Sequence, residues 1–154
     1  MIRIAFALMI LCSGAAAQMA GKPPADAALE QRLAGFVRSF DDLDWERFRT
    51  FFTEDATVFH PAGPNLKRTD GREAFERAWR GVFERIRKKS GKSAAPYMEL
   101  KPQDLRIERL GEDVALVTFH LDDGEVLGRR TMIWKRDAGV WRIVHIHASN
   151  LSER

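Results

Sequence analysis

The run Trp141-Arg142-Ile143-Val144-His145-Ile146-His147-Ala148-Ser149-Asn150, near the C-terminus, constrains the fold more than any other part of the 154-residue chain. Its β-branched and aromatic residues read as a strand, and successive side chains of a strand point to opposite faces. Trp141, Ile143, His145 and His147 then share one face, and Val144, Ile146 and Ala148 the other. Both faces carry apolar bulk. Such a strand belongs to a sheet covered by helices on one side and by something else, often a second subunit, on the other.

The residues before it supply those layers. Leu29, Leu33, Phe36, Val37 and Phe40 recur at helical spacing, predicting a helix from about Asp26 to Asp41. Asp44 is placed to cap a shorter helix carrying Trp45, Phe48, Phe51 and Phe52 on one side. Thr57 to His60 reads as a short strand stopped by Pro61. Asp70 and Glu73 form a capping-box pattern ahead of a third helix with Phe75, Trp79, Val82, Phe83 and Ile86 along one stripe. Beyond Pro96 the period changes from helical to alternating, over Tyr97 to Arg109, Val114 to Asp122, Val126 to Arg136 and Val140 to Asn150. Turn formers separate these runs, predicting an antiparallel meander. The plan is α+β: three N-terminal helices packed on a curved, mainly antiparallel sheet.

Met1-Ile2-Arg3, the apolar stretch Ile4 to Leu11 and Ala15-Ala16-Ala17 read as a signal peptide over 1–17, removed on export to the periplasm or the medium. Residues 18–25 form a polar, Pro-containing leader, and 26–152 one domain. The stretch is too short to span a bilayer, which takes about 20 apolar residues, so no membrane association is expected once the signal is gone. Cys12, the sole cysteine, falls in the removed part, leaving no disulfide and no thiolate ligand. The formal net charge of the whole chain is +3, with both signs interspersed, which is no footprint of nucleic-acid binding.

Further detail comes from a resemblance. Phe51-Phe52-Thr53-Glu54-Asp55-Ala56 running into Phe59-His60-Pro61-Ala62-Gly63, Asp70-Gly71 before the third helix, Trp134-Lys135-Arg136-Asp137, and Trp141 through Ser149 resemble the nuclear transport factor 2-like superfamily. Within it they resemble the SnoaL-like branch, which includes the association domain of calcium/calmodulin-dependent protein kinase II. The resemblance implies a cone-shaped α+β barrel, its bent sheet wrapping the third helix around an apolar pocket, and a homodimer formed through the sheet face of Trp141, Ile143, His145 and His147. It places Ala148, His120 and Met132 where the association domain has pocket arginines and Phe75 where it has a histidine, so that domain's anion clamp is not expected here. By strand parity Arg130, Met132 and Trp134 line the pocket beside Val144, Ile146 and Ala148, with Trp79 from the third helix.

His120, expected on the pocket face with Leu116 and Thr118, is the candidate catalytic or hydrogen-bonding residue, weighed against a satisfied core histidine. His60 and Tyr97 are expected at the pocket rim. His145 and His147 invite a metal reading, but His120 would face the other way and no third ligand follows, so no metal is expected. Phosphate-binding loops, nucleophile elbows and zinc helices are missing from the sequence, which implies no cofactor. These features predict a secreted or periplasmic protein binding a small, largely apolar ligand. A SnoaL-type isomerase, cyclase or lyase on a small carbonyl compound, and a noncatalytic oligomerisation module, are the alternatives.

Overall fold

The computed structural model describes residues 24–62 and 67–152; the proposed signal peptide and the first part of the leader lie outside them. The elements are α1 (Pro24–Asp41), α2 (Trp45–Arg49), β1 (Phe52–Phe59), α3 (Arg72–Ser90), β2 (Gln103–Arg109), β3 (Val114–Asp122), β4 (Val126–Asp137) and β5 (Val140–Ser152). The strands form one curved, unclosed sheet in the order β1-β5-β4-β3-β2, antiparallel except where β1 runs parallel to β5. This is the expected α+β plan.

Several local expectations differ in detail. Asp44 caps α2, its Oδ1 accepting from the Arg47 amide at 3.0 Å. That helix stops at Arg49, and Phe52 opens β1 instead of extending the aromatic helix face. The α3 cap is Gly71 at φ 80°, not Asp70. The Asp70 carboxylate is taken by Arg68 at 2.7 Å, so the capping box does not form. The strand expected from Tyr97 starts only at Gln103, because the amides of Tyr97 and Met98 donate to the Asp41 carbonyl and that of Leu100 to its carboxylate. Asp137-Ala138-Gly139 does turn the β4–β5 hairpin, with Ala138 and Gly139 both at positive φ, the conformation a tight two-residue turn requires.

One side of the sheet packs on the helices around a core of aromatic rings. Phe36 of α1, Phe48 of α2 and Phe75, Trp79 and Phe83 of α3 meet Phe52, Trp134 and Ile143 of the strands. Arg32 ties α1 to β5 and to the C-terminal end of α2, donating to the carbonyls of Trp141 and Thr50 with its guanidinium 4.1 Å from the Phe51 ring.

The prediction for β5 fails in one informative way. Trp134 pairs with Ile143 and Ile133 with His145, so Val144 is an extra residue, a β-bulge that reverses strand parity. Trp141 and Ile143 lie in the core with Ile146 and Ala148, whereas His145 and His147 turn to the other face. The sheet surface proposed for dimerisation therefore contains the two histidines but neither Trp141 nor Ile143.

Candidate ligand site

Cross-strand register builds the site. Phe119 pairs with Arg130 and Arg130 with Ala148, and all three face the helices. Phe59 pairs with His147, so the next residue, His60, continues this row beyond Ala148. Arg130 is the cation of the row. Its Nη1 donates to the carbonyls of Arg129 at 2.9 Å and Ser149 at 3.2 Å and to Asn150 Oδ1 at 3.2 Å. No ion pair to Arg130 is found among the described residues, and burial holds its guanidinium below its usual pKa.

Gly128 makes this placement possible. A Cβ there would come within 3.1 and 3.2 Å of the Arg130 guanidinium nitrogens and 3.2 Å of the Leu121 carbonyl. Arg130 and Gly128 border a hollow of about 390 Å³ at the end of the sheet, walled by Leu100, Leu121, Val126 and Asn150. The exposed carboxylates of Glu99, Asp122 and Asp123 also border it. Asp122 and Asp123 are occupied as turn acceptors for the amides of Gly124, Glu125 and Val126. Met98 to Lys101 separates this hollow from a second on the α1 side and is pinned by Asp41, whose carboxyl is pushed up in pKa by burial.

His60 sits deeper than the rim expected of it. It is 8 % exposed, its ring lies 4.7 Å from that of Trp79, and neither His60 Nε2 nor Trp79 Nε1 has a hydrogen-bond partner among the described residues. Burial, and then the nearby Arg85 charge, lower its pKa and favour the neutral imidazole.

The other expected lining residues separate into four placements. Phe75, Trp79, Met132, Trp134, Ile146 and Ala148 face inward as predicted, but they pack as core. Tyr97 is half-buried, with the Arg87 guanidinium 5.2 Å from its ring. His120 contradicts the expectation. Ala115, Val117 and Phe119 take the inward positions of β3, which turns His120 outward with 45 % of its side chain exposed and Nδ1 3.9 Å from Asp104 Oδ2. Val144 sits in the bulge. Sequence reasoning missed Gly128 and Asn150, although a glycine inside a strand is itself a sign of close approach. Among the described residues no cluster of three His, Cys, Asp or Glu side chains is placed to hold a metal ion.

A bent five-stranded sheet folded over three helices, with polar groups toward one end, defines the class of nuclear transport factor 2-like proteins, and solved structures of that class are similar. An NTF2-like protein of unknown function from Pseudomonas putida is 20 % identical, with 81 % of this chain and 85 % of that one covered and a TM-score of 0.65. The hub homology domain of calcium/calmodulin-dependent protein kinase II from Chlamydomonas reinhardtii is 18 % identical over 83 % and 99 % of the two chains, at a TM-score of 0.61. The association domain of the Caenorhabditis elegans kinase is 16 % identical over 80 % and 94 %, at 0.61. Among curated proteins none matches. The chain belongs to the SnoaL-like domain family, whose model matches residues 29–153.

Proposed function

We propose that this SnoaL-like protein binds a small, largely apolar molecule bearing an anionic group, with Arg130 holding the anion. One observation carries the reading: a desolvated guanidinium on the helix-facing side of the sheet, cradled over Gly128 and lacking an acidic partner among the described residues. A charged group spared its own ion pair in a concave site is what a carboxylate ligand needs, because charge-assisted bonds to guanidinium are strong and directional. Calorimetric titration with straight-chain monocarboxylates and the matching primary amides tests it. Heat of binding is expected from the acids and not the amides; equal binding of both, or of neither, overturns the proposal.

The signal-like residues 1–17 support action after export, in the periplasm or the medium. Self-association into a homodimer is part of the same reading, and the likeness to domains named for hub and association roles supports it.

A second, enzymatic reading has its own support in His60. A buried neutral imidazole whose Nε2 has no partner among the described residues suits a general base that takes a proton from the carbon beside a carbonyl and returns it. It replaces His120, whose outward position removes it from that role. Deuterium uptake from heavy water into small ketones, followed by proton NMR and lost in His60→Ala, is the expected result; uptake that the substitution leaves unchanged rules His60 out.

A further inference from the structure

Charge is unevenly spread over this chain. From Arg77 to Lys92 there are seven basic residues and one acidic one, Glu84, whereas the whole chain has 25 and 22, so 18 basic and 21 acidic residues remain outside this stretch. The stretch is the second half of α3 with the residues just after it, and every charged side chain in it is exposed. At about 100° per residue, Arg77, Glu84 and Lys88 run along the crest of the helix, opposite its inward stripe of Trp79, Val82, Phe83 and Ile86. Arg80 and Arg87 flank the crest on one side, Arg85 and Lys89 on the other. From Arg77 to Lys89 this makes a cationic ridge about 18 Å long.

Little in the molecule offsets this charge. The Arg80 guanidinium lies 4.4 Å from the Trp45 ring and that of Arg87 5.2 Å from the Tyr97 ring, contacts that hold the cations without neutralising them. Lys92 is 3.6 Å from Glu99, and Asp123 is the acidic neighbour of Lys89. Arg77 and Lys88 form no ion pair among the described residues. The ridge also carries no large exposed hydrophobic residue; those of the described residues are Leu105, Leu110, Val140 and Leu151, all on or beside the strands.

We propose that this ridge docks on the surface of a bilayer containing anionic phospholipids, with α3 lying along it. Charge complementarity selects that partner. Cations spread over more than the ~8–10 Å screening distance of moderate salt act together as one charged surface, and mobile anionic headgroups gather beneath them without a fitted shape. A protein partner needs a desolvated apolar centre, which the ridge lacks. Single-stranded nucleic acid needs open rings on which bases stack, and the two rings here are covered by Arg80 and Arg87. The contact is peripheral, since no helix among the described residues is long and apolar enough to cross a membrane. It departs from the expectation that the exported chain stays clear of membranes, which rested on the lack of a spanning segment.

Cosedimentation with vesicles tests this. At about 0.1 M salt the purified protein is expected to bind phosphatidylcholine vesicles containing about one third phosphatidylglycerol at least about tenfold more tightly than pure phosphatidylcholine, and to dissociate at about 1 M salt, where screening leaves only ~3 Å of reach. Lys88→Ala should weaken the binding about fivefold and its combination with Lys89→Ala about 25-fold, the share of one and of two surface cations. Both positions are exposed and alanine favours the helix, so far-ultraviolet circular dichroism should be unchanged. Lys135→Ala, on the sheet face turned away from α3, should leave binding as it was. Equal binding to both vesicle types, binding that survives high salt, a double variant that binds like wild type, or no binding at all would overturn the proposal. A Lys135→Ala loss as large as that of Lys88→Ala would also overturn it, by making the attraction a matter of net charge. Tighter binding to duplex DNA than to anionic vesicles at equal phosphate would assign the ridge to nucleic acid instead.

Discussion

Phe48→Ala is expected to lower the unfolding free energy by about 3–5 kcal/mol, a large share of the roughly 5–15 kcal/mol that holds a domain of this size together. Phe48 is fully buried in the five-residue helix α2, and its ring lies 4.9 Å from Trp79, 5.0 Å from Phe83, 5.1 Å from Phe52 and 5.3 Å from Phe36. Those rings belong to α1, α3 and β1, so one side chain joins three other elements. Aromatic neighbours held by separate elements relax little into the space left behind, which keeps the cost near the top of the range for large-to-small changes. Urea titration followed by tryptophan fluorescence and far-ultraviolet circular dichroism measures it. A loss below about 1.5 kcal/mol would mean that the core re-collapses and that Phe48 does not join the helices to the sheet.

Arg130→Met is expected to weaken binding of a carboxylate ligand about 10- to 150-fold, the equivalent of one charged hydrogen-bonding partner, while leaving the unliganded protein as stable as before to within about 0.5 kcal/mol. The two halves of this expectation have the same cause. Arg130 is desolvated without an ion pair among the described residues, so its charge opposes folding, and its bonds to the Ser149 carbonyl and Asn150 recover part of that cost. A methionine keeps the apolar stem and removes the charge. Calorimetry on the ligand series and urea titration of the free protein, run on the same preparation, read both quantities. Strong destabilisation with unchanged affinity would make Arg130 a structural residue and remove the basis of the binding proposal.

Gly128 and Ala148 show why the site was only partly legible in the sequence. Arg130 was recognised as inward-facing because parity within β4 is unbroken from Gly128 to Trp134. Its function depends on what sits beside it, and that neighbourhood is long-range. Ala148 comes from β5, Leu121 from β3, and Leu100 from a segment fixed by Asp41 at the end of α1. His120 is misplaced for a different reason: its inward position followed from the resemblance, whereas the residues of β3 put Ala115, Val117, Phe119 and Leu121 on one face and Thr118 and His120 on the other. The pairing of Ala115 with Trp134 and Val117 with Met132 puts the apolar set inward.

Local interactions, read directly from residue order, determined the three helices, the Asp44 cap, the meander and the hairpin turn at Ala138-Gly139, since capping, helical periodicity and turn chemistry act within a few residues. That Trp141 and Ile143 face the core, opposite to His145 and His147, was decided by the tertiary structure alone. The bulge at Val144 arises because Trp134 and Ile133 of β4 must meet Ile143 and His145, a constraint between strands, and one inserted residue reverses the faces of the strand on its two sides, so that Trp141 and Ile143 no longer share a face with the histidines.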